Sequence, residues 1–278
     1  MTAPAEATRS PAVPERVARQ VPMALCAAVV GLQIAYPLVH GAARNRLTVV
    51  TVVVFFAASV SHALVWRGPR FTAALVAVTA GGGFAVEAAG VATGWPFGAY
   101  AYAGTLGAQL AGVPLVIPLA WTMMGYPALL VGRTVTRHRW AGPVVAGWAL
   151  ASWDLFLDPQ MVDAGHWSWA GGGPTVLGIP LSNFAGWTLV AVAMMAVLWR
   201  VPQRRVIRED GRAGLGKVGH LSVYRGRHDD RPMYALYLWV YASSVLAHLL
   251  FFDLPGSALL GGVGMGAVVA ALVWSRRR

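Results

Sequence analysis

Long apolar tracts recur along the chain, and short segments that carry most of the charged residues separate them. The hydrocarbon core of a bilayer needs about 20 consecutive apolar residues per helix, so each long tract predicts a membrane-spanning helix. Eight tracts approach this length, at residues 21–43, 48–66, 71–91, 113–132, 141–157, 179–199, 233–252 and 256–275. The pattern therefore predicts an all-α fold, a polytopic membrane helix bundle of about eight transmembrane helices.

The composition supports this fold class. Hydrophobic residues make up 57% of the 278 residues and charged residues only 12%, against roughly a quarter charged in a typical soluble domain. Too few charged side chains remain to cover the surface of a soluble enzyme, and the apolar content excludes a disordered chain. The single cysteine, Cys26, excludes an intramolecular disulfide and a cysteine-based metal cage.

The basic residues predict the orientation of the bundle. If the N-terminus lies in the cytoplasm, all but Arg44 and Arg46 of the 22 lysines and arginines fall on the cytoplasmic side, as the positive-inside rule requires. We therefore expect a multi-pass protein of the cell membrane with both termini cytoplasmic. Residues 1–20 are expected to form a mobile cytoplasmic tail, and residues 21–278 a single membrane domain. Within that domain, the basic cytoplasmic loop 200–232 is expected to touch anionic membrane lipids and, without interleaved aromatic residues, to bind no nucleic acid.

Three carboxylic acids lie near the opposite, outer ends of the predicted spans. Glu87 lies near the end of the third span, and Asp154 and Asp158 lie four residues apart at the end of the fifth, on one helix face. Pro159 predicts the end of that helix, where the negative end of the helix dipole disfavours a further anion. Carboxyl groups in such surroundings keep a proton and can act as general acids. We therefore predict Glu87, Asp154 and Asp158 as catalytic residues.

The outer loops are rich in aromatic residues and glycine. Residues 94–102 read G-W-P-F-G-A-Y-A-Y, and residues 165–169 read G-H-W-S-W. Aromatic residues also form belts at membrane interfaces, but these lie beside the predicted catalytic acids. We therefore predict a substrate-binding set of aromatic and polar side chains at this end of the spans, consisting of Trp95, Phe97, Tyr100, Tyr102, Trp121, Trp153, Trp167, Asn183, Trp187 and His248.

The two loops also match each other as parts of an internal repeat. Glu87 precedes Gly98 by the same 11 positions by which Asp154 precedes Gly165. Further matches follow in the same order, pairing Tyr100 with Trp167, Tyr102 with Trp169, Gly112 with Gly178, Pro114 with Pro180 and Trp121 with Trp187. We predict that spans 3–4 and 5–6 form a parallel repeat, with Glu87 facing Asp154 across the repeat interface.

Proton-bearing acids beside aromatic faces in a membrane suit one class of reaction. A protonated carboxyl can add its proton to an electron-rich alkene, and aromatic quadrupoles attract the carbocation that results. Water, a neighbouring alkene or loss of a proton then ends the reaction. The substrate expected from these residues is a lipid that enters from the bilayer.

Four runs carry a resemblance to a known family. They are T-G-W-P-F-G-A-Y-A-Y at 93–102, G-V-P-L-V-I-P-L-A-W at 112–121, W-D-L-F-L-D-P-Q-M-V at 153–162 and G-I-P-L-S-N-F-A-G-W at 178–187. Together they resemble the integral-membrane carotenoid biosynthesis protein family, of the hydratase type, over a core motif region of about 80–190. The resemblance implies a cofactor-independent hydro-lyase that adds water to the terminal double bond of an acyclic carotenoid end. It requires neither a redox cofactor nor a metal, and a carotenoid glycosyltransferase acting downstream is a candidate partner.

Other functions remain open at this point. Asp154 and Asp158 also fit the D-x-x-x-D pattern with which membrane prenyltransferases hold magnesium diphosphate, although a diphosphate also needs basic partners and the outer side offers only Arg44 and Arg46. A carotenoid cyclase would use related cation chemistry. A non-catalytic carotenoid-binding scaffold or transporter would need the aromatic residues but tolerate loss of the acids.

Overall fold

The computed structural model describes residues 15–203 and 229–277, almost all of whose regular structure is helical. Helix α1 begins at Glu15, inside the predicted N-terminal tail of residues 1–20, and residues 1–14 lie outside the described part of the chain. Most of the predicted basic loop 200–232 also lies outside it, at residues 204–228. The prediction of an all-α bundle is confirmed.

Ten α-helices follow one another along the described residues. They are α1 (Glu15–Ala35), α2 (Gly41–Arg67), α3 (Pro69–Val76), α4 (Gly82–Thr93), α5 (Val116–Val135), α6 (Ala141–Ala151), α7 (Asp154–Asp163), α8 (Leu181–Arg200), α9 (Arg231–Leu250) and α10 (Pro255–Arg277). A π-helical turn, Ala77–Gly81, joins α3 and α4 into one longer helical segment. The wider i→i+5 turn leaves Thr79 buried, with its hydroxyl 2.7 Å from the hydroxyl of Thr122 on α5.

Six helical segments of the described chain are long and apolar enough to cross a membrane. They are Gln20–Leu38, Gly41–Arg67, Pro69–Thr93, Leu181–Arg200, Arg231–Leu250 and Pro255–Arg277. Helix α5 and the pair α6 and α7 fall outside this set, so the prediction of eight spans remains a prediction. The chain is a multi-pass membrane protein built from apolar helices.

Helix α5, which is not among these six segments, lies at the centre of the bundle. It packs against α2, α6, α9 and α10, and its residues from Ala120 to Gly132 are all buried. A helix enclosed by other helices has little contact with lipid, so its interior positions can carry polar and small residues such as Thr122 and Gly125. The core of the bundle therefore lies around α5.

The fifth predicted span differs from the prediction, because it consists of two helices. Helix α6 ends at Ala151 and α7 begins at Asp154, so Asp154 occupies the first turn of a helix and not the last. The expectation that Pro159 ends the helix is wrong, since α7 continues to Asp163. Proline at 159 leaves the carbonyl of Leu155 without its intrahelical donor. The hydroxyl of Ser257 on α10 donates to that carbonyl at 2.7 Å, which satisfies it from outside the helix.

Two loops, residues 94–115 and 164–180, carry six short strands in three two-stranded sheets. The strands are β1 (Tyr100–Tyr102), β2 (Gln109–Leu110), β3 (Val113–Pro114), β4 (Trp167–Trp169), β5 (Thr175–Val176) and β6 (Ile179–Pro180). Strands β1 and β4 pair antiparallel, with Tyr100 opposite Trp169 and Tyr102 opposite Trp167. The two loops therefore form one joint structure over the ends of α4 and α7.

The contacts between these loops come in matching pairs. The amide of Ala103 donates to the carbonyl of His166, and the amide of Ala170 donates to the carbonyl of Ala99, both at 2.8 Å. The hairpins β2–β3 and β5–β6 turn through two residues with positive φ, Ala111 and Gly112 in one and Leu177 and Gly178 in the other. Such reciprocal contacts are what a two-fold relation between matching segments would produce. The internal repeat itself remains a prediction.

Candidate functional site

Glu87 lies on α4 at the centre of a set of hydrogen-bond donors. The hydroxyls of Tyr100 and Tyr102 donate to its Oε2 at 2.5 and 2.8 Å, and the indole N–H of Trp121 donates to its Oε1 at 3.1 Å. The side chain is buried. An ionised carboxylate only accepts hydrogen bonds, so three donors around one buried carboxyl suit its ionised form.

The two tyrosines reach Glu87 because β1 alternates its side chains. Tyr100 and Tyr102 lie two residues apart, so they leave the strand on the same face. Burial, followed by the nearby Glu87 carboxyl, raises the pKa of both phenols above the usual value. Both hydroxyls therefore keep their protons and remain donors to Glu87.

Asp154 and Asp158 lie one turn apart on α7, as predicted, and share a partner. The amide nitrogen of Asn183 on α8 donates to Oδ2 of Asp154 at 2.9 Å and also to Oδ2 of Asp158. The indole of Trp167 donates to Oδ1 of Asp158 at 3.1 Å. Burial raises the pKa of Asp158 above its usual value, so this carboxyl keeps a proton more readily than a solvated one does.

A small cavity of about 30 Å³ separates Glu87 from Asp158 and has room for a water molecule. Its lining contains most of the predicted site, namely Glu87, Phe97, Tyr100, Tyr102, Trp121, Asp158, Trp167, Asn183 and Trp187. Trp169, Ile117, Ala120 and Leu157 complete the lining. We refer to this space as the acid cavity. The structure brings two of the three predicted catalytic acids to its wall.

A larger cavity of about 150 Å³ adjoins the acid cavity, and the two share Ile117, Ala120, Leu157 and Trp167 as wall residues. We call it the apolar cavity, since most of its wall residues are apolar, and α2, α5, α7 and α9 supply most of the wall. Trp153, a predicted substrate-binding residue, lies here and not in the acid cavity. An apolar group in this cavity would therefore have one end beside Glu87 and Asp158.

Besides Trp153, three predicted site residues lie away from the acid cavity. Asp154 is fully buried but does not line it, so Asp158 takes the place opposite Glu87 in which we expected Asp154. Trp95 is 68% exposed and lies at the surface of the loop. His248 is buried and contacts the carbonyls of Ser244 and Phe156, at 2.7 and 3.1 Å, so it ties α9 to α7.

Sequence reasoning missed four residues of the acid cavity. Trp169 lies in the predicted repeat, and its indole donates to the carbonyl of Phe97 at 3.0 Å. Its match to Tyr102 could have placed it in the site. Ile117, Ala120 and Leu157 are ordinary apolar helix residues, and no sequence signal distinguishes a wall residue of this kind from a core residue.

Among residues 15–203 and 229–277, no group of three or more His, Cys, Asp or Glu side chains lies close enough together to hold a metal ion. Neither cavity wall contains a lysine or an arginine in the described residues.

The sequence of this chain is similar to those of known proteins. Residues 47–218 match the model of a family described as carotenoid biosynthesis protein. Bisanhydrobacterioruberin hydratase from Haloarcula japonica is 35% identical over 121 residues, which cover 42% of this chain and 40% of the relative. The match thus spans less than half of that relative's length. No solved structure matches the chain.

Proposed function

Because this chain belongs to the carotenoid biosynthesis protein family, we propose that it is a membrane carotenoid hydratase. It adds water to the terminal double bond of an acyclic carotenoid end and produces a tertiary alcohol. The similarity to a bisanhydrobacterioruberin hydratase supports this activity, although that similarity covers 40% of the relative. We propose the cell membrane as its location, with both termini in the cytoplasm, and the bilayer as the source of its substrate.

The observation that carries the proposal is the placement of Glu87 and Asp158 on the wall of one small cavity. The adjoining apolar cavity has space for a hydrocarbon end, and it shares wall residues with the acid cavity. A hydrocarbon chain in the apolar cavity therefore presents its terminal alkene to both acids. A water molecule fits in the remaining space.

The two acids take different roles because their partners differ. Asp158 lies in the wall of the acid cavity, holds a proton more readily than a solvated carboxyl does, and is the general acid that transfers this proton to the terminal alkene carbon. Glu87 accepts three hydrogen bonds and is the ionised carboxylate, which takes a proton from the attacking water. The net change is addition of one water molecule, and a proton must return from Glu87 to the aspartate pair before the next turnover.

The aromatic walls stabilise the tertiary carbocation between these two steps. Trp121 and Trp187 present stacked rings on one side of the acid cavity, and Trp167 contributes a further ring. The faces of such rings carry negative potential, which attracts a cation that has few other partners in an apolar site. Asn183 is a positioning residue, because its amide hydrogens hold Asp154 and Asp158 together.

Expression of the chain in a lycopene-producing host tests the activity. A hydratase yields a more polar pigment that is heavier by one water molecule, and the Glu87→Gln variant does not. A cyclised pigment of unchanged mass would instead identify a cyclase. Pigment that binds to the purified protein without any change in mass would identify a carotenoid-binding scaffold.

The alternative hypothesis, that the chain is a magnesium-dependent prenyltransferase, has less support. A diphosphate needs cationic partners, and the walls of both cavities lack them among the described residues. Treatment of the purified protein with EDTA separates the two reactions. We expect hydration to continue, whereas loss of activity that magnesium restores would favour Asp154 and Asp158 as metal ligands.

A further inference from the structure

A third cavity, of about 710 Å³, lies at the end of the helices opposite the acid cavity. Its described lining combines three arginines with one aspartate and several hydroxyl groups: Arg67, Leu130, Arg133, Thr134, Arg137, Trp199, Gln203, Asp230, Tyr234 and Ser275. We call it the arginine cavity. The hydration mechanism uses none of these residues.

Arg67, the last residue of α2, is the deepest charged group in this cavity. Its side chain is 4% exposed, and its Nη2 pairs with Oδ1 of Asp230 at 2.5 Å. Its Nη1 is buried and donates to no acceptor in the described part of the chain. A buried donor without an acceptor is costly, so Arg67, which lines the cavity, keeps hydrogen-bonding capacity that the described part of the protein does not use.

Arg133 is held in a fixed orientation beside this position. Its Nη2 donates to the carbonyl of Leu198 at 3.0 Å, and its guanidinium lies 5.7 Å from the ring of Phe71 and 5.3 Å from that of Trp199. These contacts restrict the rotamers of a long side chain before any ligand arrives. Arg137 lies at the exposed rim of the same cavity.

The simplest explanation of these arginines is that they interact with helix dipoles. Arg67 ends α2 and Arg133 lies in the last turn of α5, where cations are favoured. The hydrogen bond from Arg133 to a backbone carbonyl fits that explanation. Helix dipoles do not explain the unpaired Nη1 donor of Arg67. They also do not explain the excess of two positive charges over Asp230 in the described lining.

We propose that the arginine cavity binds a phosphate group. Guanidinium groups match the geometry of phosphate oxygens better than ammonium groups do. The hydroxyls of Thr134 and Tyr234 in the same wall hydrogen-bond each other at 2.6 Å, so the arginines carry the recognition. In the predicted orientation the cavity opens at the cytoplasmic surface of the membrane. The phosphate can therefore come from the head group of an anionic phospholipid or from a soluble phosphate compound.

The test compares two exposed arginines of the same loop in the purified full chain. Arg137 lines the arginine cavity and Arg139 does not, since it stacks on Trp140. Native mass spectrometry measures binding of phosphatidylglycerol, with phosphatidylcholine as the reference, to wild type, Arg137→Gln and Arg139→Gln. We expect phosphatidylglycerol to bind Arg137→Gln about tenfold more weakly than wild type, as loss of one charge-assisted hydrogen bond predicts. Arg139→Gln should bind it as wild type does.

A second measurement distinguishes the source of the phosphate. Inorganic diphosphate is titrated against lipid-free protein in detergent, and the thermal unfolding midpoint is recorded for the same three proteins. Stabilisation by diphosphate that Arg137→Gln loses identifies a soluble ligand, and phosphatidylglycerol binding alone identifies a lipid site. The proposal is overturned if neither compound binds, or if Arg139→Gln weakens binding as much as Arg137→Gln does, since general surface charge then explains the effect.

Discussion

Trp121 and Trp187 stack face to face beside Glu87, with ring centroids 4.0 Å apart and ring planes 8° from parallel. They occupy matching positions of the predicted repeat, yet their chemical environments differ. The indole N–H of Trp121 donates to Glu87, whereas Trp187 packs its ring against Phe97 at 6.4 Å. Trp121 thus hydrogen-bonds the Glu87 carboxylate directly, whereas Trp187 contributes its aromatic ring to the wall of the acid cavity.

The tryptophan pair allows a matched substitution. Phenylalanine at position 121 keeps an aromatic ring on Trp187 but removes a donor from Glu87, so Trp121→Phe should lower the hydration rate roughly tenfold. Trp187→Phe keeps the donor and should lower the rate less. The rates are compared from pigment conversion at equal protein levels. An equal loss in both variants would show that ring area, and not the hydrogen bond to Glu87, is what the reaction needs.

The acids themselves give the largest expected effect. Glu87→Gln and Asp158→Asn keep shape and most hydrogen bonding but cannot exchange a proton, so each should reduce hydration at least about a hundredfold. Asp163→Asn, at the exposed end of the same helix α7, is the control and should remain active. Carotenoid binding should persist in both acid variants, as followed by co-purified pigment. Loss of pigment together with activity would assign the acids a structural role.

Gly90 on α4 leaves space for the tyrosine that holds Glu87. A Cβ at this position would lie 2.9 Å from the hydroxyl oxygen of Tyr100 and 3.0 Å from the ring of Phe97. Gly90→Ala should therefore displace Tyr100 from Glu87 and reduce activity, with a stability loss of about 1–3 kcal/mol typical of overpacking. Gly104→Ala is the control, because nothing lies within 4 Å of its Cβ position. Unchanged pigment conversion in Gly90→Ala would contradict the role of Tyr100.

The orientation can be read from cysteine labelling in intact cells. The native Cys26 is buried, so the wild-type chain gives a low background. Gly172→Cys, in the loop between β4 and β5, should react with an impermeant thiol reagent added outside, because the distribution of basic residues places this loop outside. His138→Cys, in the exposed loop before α6, should react only after the cells are opened. The reverse pattern would invert the topology and bring the acid cavity to the cytoplasmic side.

His166 predicts a pH dependence of stability in the loop that carries Trp167. Its side chain is buried with Nδ1 2.8 Å from the hydroxyl of Thr105, and burial lowers its pKa from the usual 6.5. At low pH, His166 therefore binds a proton more readily in the unfolded chain than in the folded one. The free energy of unfolding falls as the pH drops below about 6.5. Thermal unfolding of wild type and His166→Gln should diverge between pH 7.5 and 5.5. The exposed His138→Gln control should lose stability with falling pH in parallel with wild type. If His166→Gln also loses stability in parallel with wild type, His166 is not the cause.

The sequence by itself determined the class of the protein. Apolar tracts of bilayer length dictate helices because lipid cannot satisfy exposed backbone groups, and this requirement is local to each tract. The short spacing between Asp154 and Asp158 likewise placed them on one helix turn, since helix periodicity alone decides it. The aromatic loops beside Glu87 were identified in the same way, from residues close together in the chain.

Only the tertiary structure decided which of these residues meet. The division between α6 and α7 escaped prediction, and the carbonyl freed by Pro159 receives its donor from Ser257, about 100 positions away in the chain. The position of Asp154 also depends on tertiary contacts. Asn183 holds it beside Asp158, and of the two aspartates only Asp158 lines the acid cavity with Glu87. Hydropathy and spacing describe a residue's neighbours along the chain. The protonation and access of a buried carboxyl depend instead on donors that other helices and strands supply.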